Sequence, residues 1–373
     1  MPKAEGTDPI LIVGQGLAGT CLAWMLEERQ TPFHLLDGGD PHAAWPAAAG
    51  IINPVTGKRF NRSWAVDGFL PRARDFYRAV GERLGVALWH PHPLLRALRT
   101  TGEAQRWAER ANDPAYTPYL GERIPAGKSE SGLRSPDGAV WIRQAAQVDV
   151  ATLVTRSRRR WERAGRLERG TLDAEALSIN QEAGYIQWNH RSWSAVVFAD
   201  GRLGAENRWF SWLDYRLSRG EVLEAEAGDL PDDRILNGGV WTLPVGDSRI
   251  RTGSTYTWTD LDAGPTEAGR REILSQLEAL TDRRAGRILD QRAGIRPGTH
   301  DSRPYLGQHP EAPGIWIFNG LGSKGTLYAP GCAEHLTDAL TDDKPLPPEL
   351  DVSRRLKFKR PGSRPTDEGD ACG

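Results

Sequence analysis

The chain has 373 residues, 26% of them charged and 39% hydrophobic, with a formal net charge of -1. That is ordinary globular composition at the length of two domains or one large α/β unit, and the near-neutral balance supplies no global field for nucleic acid or membrane. Three widely separated cysteines, Cys21, Cys332 and Cys372, form neither a CxxC motif nor a disulfide framework, and no run of 18 apolar residues exists. A reducing, cytoplasmic setting without a membrane span is expected.

The N-terminal stretch MPKAEGTDPILIVG lacks a basic start, a long apolar run and a cleavage site, and reads as a short tail before a strand. Ile10 to Val13 is a short apolar run suited to a buried parallel strand. GQGLAG follows, and then Leu17, Leu22, Met25 and Leu26 recur near helical spacing. TPFHLLD reads as a second strand ending at Asp37, which completes a β-α-β unit. Residues 38–50 are loop-like. VDGFLPRARDFYRAVGERLGV reads as a helix, and the stretch from Trp89 to Val140 shows little periodicity. VDVATLVTRSRRRWERAG predicts another helix, and WSAVVFADG a strand ending in a turn. RGEVLEAEA and VWTLPVGDSRIRTGSTYTW alternate as antiparallel strands do. Ile273, Leu274, Leu277 and Leu280 mark a helix. GIWIFNGLG is a strand entering a glycine turn, with a helix after it. The tail from 341 to 373 is expected to be partly disordered. Most of the fourteen tryptophans are expected in the core or at a domain interface, with a few lining a pocket.

Gly14-Gln15-Gly16-Leu17-Ala18-Gly19 fits GxGxxG between a strand and a helix, with the acid Asp37 closing the next strand. That context is the dinucleotide fingerprint. Gly14 permits the tight turn, Gly16 lets a pyrophosphate approach the backbone, and Gly19 lets helix and strand pack closely. Free N–H groups at the helix N-terminus face the diphosphate, and Asp37 accepts from ribose hydroxyls. The fingerprint does not separate NAD from FAD. NGLGSKGTLYAP, residues 319–330, is a second glycine-rich turn into a helix. A helix N-terminus there suits negative charge on a reduced flavin.

Together these stretches resemble the D-amino acid oxidase superfamily of FAD-dependent amine oxidoreductases, on its glycine oxidase and sarcosine oxidase side. The resemblance rests on ILIVGQGLAG with Asp37, on AAAGIINP at 47–54 and on RGEVL at 219–223. Its most specific part is GIRPGTHDSRPYLG…FNGLGSKGTLYAPGCAEHL at 294–336. VDVATLV at 148–154 and VVFADG at 196–201 also sit where the family has similar segments. The match spans about residues 10 to 340, and residues 85–140 carry none of it.

The resemblance implies an α/β fold: a Rossmann-like FAD-binding domain with an inserted α+β substrate domain containing a mixed antiparallel sheet. The FAD-binding domain is expected from 8–70, 141–215 and 290–340, and the substrate domain from 71–140 and 216–289. Ala47 to Ile51, with Ala49 and Gly50, then lie beside the flavin ring, Asn53 reaches the ring or the ribityl chain, Ala199 to Gly201 lie near the cofactor, and Gly38 is counted among the cofactor-binding residues. Gly322, Ser323, Lys324, Gly325 and Thr326 meet the flavin N1–C2 edge and the ribityl hydroxyls. Arg296 falls where relatives grip a substrate carboxylate, a task that suits a planar, permanently charged guanidinium; the alternative is a structural ion pair between domains. A small amino acid or N-alkyl amino acid would lose its Cα hydrogen as hydride to flavin N5, and oxygen or another acceptor would reoxidise the flavin.

Ser323 stands where relatives often carry a basic residue, and Lys324 either substitutes for it or lies in solvent. Trp241 replaces a pocket tyrosine and either narrows the pocket or packs in the core. Cys332 does not match the family's flavin-tethering cysteine, so FAD is expected to be non-covalent. His90 and His92 lack a third ligand at zinc spacing, so no metal is expected and the pair is read as a surface loop. RSRRRWERAGR at 156–166 is either an RNA-binding patch or a solvated helix face on which Arg158, Glu162 and Arg166 pair. Oxidation of a modified amine on a tRNA wobble uridine and a non-catalytic flavin-binding role are the alternatives to amino acid oxidation; nucleic acid is otherwise an unlikely partner.

Overall fold

The computed structural model describes residues 8–127, 133–180, 185–231, 233–281 and 283–358. Its first organising element is a 6-stranded sheet. Ile10–Val13 occupies its middle, flanked in parallel by Phe33–Asp37 and Ala195–Phe198. Leu167–Arg169 and Ala312–Asn319 extend it in parallel on the two sides, and Tyr305–His309 closes one edge antiparallel. The central strands are apolar on both faces because both are covered: helices pack on Ile12, Leu35 and Val197, and the small sheet carrying Ile186 and Trp193, with Phe210 and Leu213, packs on Leu11 and Val196. Helix Leu17–Glu28 packs on the C-terminal helix Gly325–Asp342.

The second element is an 8-stranded mixed sheet. Its longest strands, Tyr215–Glu226 and Ile288–Thr299, run antiparallel along their whole length. Val240–Gly246 and Arg249–Gly253 form a hairpin beside them. One parallel contact, Ile235–Gly238 on Leu94–Ala97, makes the sheet mixed. Ala139–Ile142 and Leu120–Ile124 complete it. Helix Glu267–Leu280 packs on this sheet through Ile273, Leu277 and Leu280.

The structure departs from expectation at several points. Residues 89–140, which lacked a legible period, contain strands and the helix Thr101–Ala111. Their strands are only a few residues long, too short to establish a period. His90 belongs to the strand Trp89–Pro91 and pairs with Gln147, so it is not in a loop. The expected boundary at 70/71 falls inside helix Val66–Leu84, which packs on Gly325–Asp342. Residues 290–299, expected within the FAD-binding segment, lie on the long strand of the 8-stranded sheet. The tail is placed through residue 358: Leu350 and Val352 are fully buried and the Leu306 amide donates to the Leu350 carbonyl at 2.9 Å. The remainder of the expected disordered tail lies outside the described residues.

Candidate active site

A cavity of about 980 Å3 lies where the two sheets meet. Val13, Asp37, Phe198 and Asn319 reach it from the C-terminal ends of the parallel strands. Val222, Asn237, Trp241 and Ser254 line it from the mixed sheet. The carboxyl ends of parallel strands are where open α/β sheets bind ligands.

The glycine turn is built for a close approach. Gly14 has φ 100°, and a Cβ there would stand 2.5 Å from the Ala199 carbonyl oxygen. A Cβ on Gly19 would stand 2.0 Å from the Gly14 carbonyl oxygen, so this glycine sets helix against strand and does not line the cavity. Gly16 differs: the nearest atom to a Cβ there is Trp45 Cδ1 at 3.8 Å. Its open side faces the cavity, alongside Leu17 and Ala18. The first turn of the following helix carries no acidic side chain and no side-chain cap. Its N–H groups therefore remain available to an anion.

Asp37 and Gly38 line the same end. The Asp37 carboxylate accepts from the Gln15 amide at 2.9 Å and from Arg158. Arg158 Nε also donates to Gln15 Oε1 at 2.6 Å. The expected pairing of Arg158 with Glu162 and Arg166 along one helix is therefore corrected. Glu162 instead pairs with Arg169 at 3.0 Å, and Arg166 lies 3.8 Å from Glu27. Arg158 turns toward the cavity because Gln15 and Asp37 offer it a half-buried acceptor pair.

At the other end, Ala49, Gly50, Ile51 and Asn53 line the wall, with Gly201, Gly322, Ser323, Lys324, Gly325 and Thr326. Gly50 has φ 75°, and a Cβ there would meet the Val148 carbonyl oxygen at 1.9 Å. Asn53 Oδ1 accepts from the Val55 amide at 3.1 Å. Lys324 is not in solvent: its Nζ donates to Thr56 Oγ1 at 2.9 Å and to Ser63 Oγ at 3.1 Å. Burial pushes its ammonium below the usual lysine range. Trp241 lines the cavity and packs against the core.

Arg296 also lines the cavity. Its Nη2 donates to Ser254 Oγ at 2.8 Å and its Nη1 to the Thr255 carbonyl at 3.4 Å. The guanidinium carbon lies 4.3 Å from the centre of the Tyr256 ring. Gly220 leaves the room the guanidinium occupies: a Cβ there would stand 1.9 Å from Nη2. Among the described residues, no carboxylate forms an ion pair with Arg296; burial lowers its pKa, offset by Tyr256.

Arg158, Asn237, Ser254 and Tyr256 were not read as cavity residues from the sequence, and Asp200 and Asn319, inside stretches expected near the cofactor, were given no role of their own. Asp200 is the most distinctive. Burial pushes its carboxyl up to about 6, against hydrogen bonds from Asn207 Nδ2 and Asn319 Nδ2 at 2.9 Å each. An acid between the small residues of VFADG was the available signal.

This arrangement fits FAD. A glycine turn open on one side, a free helix N-terminus, an acid at the end of the second strand and a second glycine turn all face one elongated cavity. Fold and site thus define a flavin-dependent oxidoreductase. The model of the FAD dependent oxidoreductase family (DAO) matches residues 9–339, and the chain belongs to that family. The chain is 27% identical to a glycine oxidase of Pseudomonas putida, over 90% of this chain and 95% of that protein. It is 26% identical to the tRNA 5-methylaminomethyl-2-thiouridine biosynthesis bifunctional protein MnmC of Marinobacter nauticus, over 90% of this chain but only 56% of that protein. Among solved structures, iminodiacetate oxidase from Chelativorans sp. BNC1 superposes with a TM-score of 0.72 at 21% identity, covering 91% of this chain and 97% of that one. The cofactor is FAD, and the chain is an FAD-dependent oxidoreductase. Cys21 and Cys332 are fully buried and do not line the cavity. No helix among the described residues is long and apolar enough to cross a membrane.

Proposed function

We propose that the chain oxidises the C–N bond of a small carboxylate-bearing amine, with Arg296 as the carboxylate anchor. One observation carries this reading: a desolvated guanidinium faces the cavity with a hydroxyl, a carbonyl and an aromatic ring around it, and no acid. An unpaired buried charge is costly, so the site is suited to an anion that arrives with the ligand. Tyr256 stacks on the guanidinium, and of its five N–H groups only two are taken by Ser254 and Thr255, which leaves donors for an incoming carboxylate.

In this reading Gly14, Gly16, Leu17 and Ala18 hold the diphosphate, and Asp37, fixed by Arg158, takes ribose hydroxyls. Ala49, Gly50, Ile51 and Asn53 flank the ring, and the 322–326 turn holds its N1–C2 side. FAD supplies the hydride acceptor for the substrate Cα hydrogen. The chain's own residues orient the substrate: Arg296 fixes the carboxylate, and Trp241 limits the side chain that fits. Water then hydrolyses the product imine. Similarity to the glycine oxidase and the fold shared with the iminodiacetate oxidase support an amino acid or N-substituted amino acid as substrate. Two free buried cysteines support a reducing, cytoplasmic setting.

The test is anaerobic bleaching of the bound flavin by small amino and N-methyl amino acids. The reading expects bleaching by a carboxylate-bearing amine, lost in Arg296→Ala. A second reading, oxidation of an amine carried on tRNA, draws on the similarity to the bifunctional protein. It takes precedence if only modified tRNA bleaches the flavin.

A further inference from the structure

The two hydrogen-bond acceptors and the ring that hold the Arg296 guanidinium all come from one short stretch, Ser254 to Tyr256. That stretch is a break in the strand pairing. Gly253 pairs with Val222, and the next bridge joins Thr257 to Arg219, so the three residues 254–256 stand against the two residues 220 and 221. One extra residue in one strand is a β-bulge, a device that re-aims side chains beside binding sites. Here it turns a hydroxyl, a carbonyl and an aromatic ring onto one guanidinium. The side chain of Thr255 ties the bulge to the neighbouring strand: Thr255 is buried, and its Oγ1 accepts from the Glu221 amide at 2.9 Å. The backbone contact beside it is longer, with the Thr255 amide 3.4 Å from the Glu221 carbonyl. Glu221 is itself held from behind. Its carboxylate accepts from the Thr266 amide and hydroxyl at 2.8 Å each, and from Gln291 Nε2 at 2.7 Å.

We infer that Thr255 is a positioning residue for the carboxylate anchor: its hydroxyl fixes the bulge that aims Arg296. This inference rests on the proposed role of Arg296 and adds a residue that never meets the substrate. Thr255 does not line the cavity, so its hydroxyl acts through Arg296 and not on the ligand. A guanidinium already oriented by neutral partners has less freedom to lose when the carboxylate arrives, and preorganisation of this kind strengthens binding. Valine at 255 would keep the branched shape and remove the oxygen. The buried Glu221 N–H would lose its acceptor, and the bulge would keep only the 3.4 Å backbone contact and the Arg219–Thr257 bridge beyond it. Ser254, the Thr255 carbonyl and Tyr256 would then no longer hold one geometry around Arg296.

The experiment uses the flavin-loaded full chain, titrated with acetate and propionate while the flavin absorbance is followed. The inference expects Thr255→Val to bind these acids about tenfold more weakly, and Thr255→Ser, which restores the oxygen, to recover that affinity. Because Thr255 acts through Arg296, Thr255→Val is expected to add nothing in an Arg296→Ala background. Wild-type affinity in Thr255→Val overturns the inference, as does a loss that Thr255→Ser fails to recover. A tenfold loss that persists undiminished in the Arg296→Ala background also overturns it, since that marks a general structural effect. If acid binding in that background is too weak to measure, recovery by Thr255→Ser decides. If Thr255→Val fails to take up flavin, Thr255→Ala is held to the same expectations. Weaker binding in Arg296→Ala with none in Thr255→Val rejects the inference and keeps the anchor. Unchanged binding in Arg296→Ala rejects the anchor itself, and the inference with it.

Discussion

Gly220 is the floor on which the Arg296 guanidinium lies: a Cβ at Gly220 would stand 1.9 Å from Arg296 Nη2 and 2.2 Å from its Cζ. The two residues sit on neighbouring strands, and Gly220 faces Gly294 in the register. Gly220→Ala is compatible with a strand backbone but pushes the guanidinium off its bed. With misplacement of this kind costing on the order of 100-fold, kcat/KM for a carboxylate-bearing amine is expected to fall by that factor while flavin content stays constant. Steady-state kinetics with a flavin-to-protein absorbance ratio checks both halves.

Arg296→Lys keeps the charge and loses the fork. A point charge on a flexible stem cannot replace a bidentate contact, and the loss of one charged hydrogen bond is worth about 1.5–3 kcal/mol. KM is expected to rise by roughly one to two orders of magnitude. A substrate series on the lysine variant measures this; unchanged KM would remove Arg296 from the carboxylate site.

Arg158 holds Asp37 from the side opposite Gln15. Arg158→Ala releases the carboxylate and weakens FAD binding by about tenfold, the scale of one charge-assisted hydrogen bond. Quenching of flavin fluorescence on titration into apoprotein gives the two dissociation constants.

The glycines of the first turn separate folding from cofactor binding. Gly19→Ala drives a methyl to 2.0 Å from a backbone oxygen, so it shifts helix against strand and lowers the melting temperature of the apoprotein. Gly16→Ala meets nothing nearer than 3.8 Å and leaves that temperature unchanged. Its methyl instead occupies the face left for the pyrophosphate, and FAD uptake is lost. Melting curves with and without FAD distinguish the two.

Asp200 makes the apoprotein sensitive to pH. Its folded pKa, about 6, is raised from 3.8 mainly by burial. The folded state therefore binds the proton more tightly than the unfolded chain. Stability from this group is complete below about 4 and is lost as pH rises toward 6. The loss is on the order of 3 kcal/mol. Asp200→Asn is expected to flatten this slope, so the variant gains on the wild type between pH 4 and 7 in denaturant titrations of the apoprotein.

The nucleotide half of the site was legible because its signals are local. A glycine turn between strand and helix specifies its own geometry, and Asp37 follows within the same β-α-β unit. Arg296 and the 322–326 turn were legible through resemblance. What surrounds Arg296 was not, because Ser254, Tyr256 and Gly220 reach it only through strand pairing distant in sequence. Arg158 was misread for a related reason: its nearest acids in sequence lie one helical turn away, while Asp37 approaches it across 121 residues. The 89–140 segment hid its strands because their apolar faces are shared with partners elsewhere in the 8-stranded sheet.

Ile295, the residue before Arg296, is fastened to the loop on the nucleotide side: its amide donates to the His42 carbonyl at 2.9 Å, and a β-bridge joins it to Ala43. Gly294 approaches the same loop so closely that a Cβ would meet the Ala43 carbonyl oxygen at 2.9 Å. The proposed carboxylate anchor is thereby fastened to the loop of His42 and Ala43 on the nucleotide side. Trp241, Ser254 and Tyr256 belong to the hairpin and the segment after it, outside that tie. Substitutions at those three positions would reshape the pocket wall while leaving the tie between Ile295 and His42 in place.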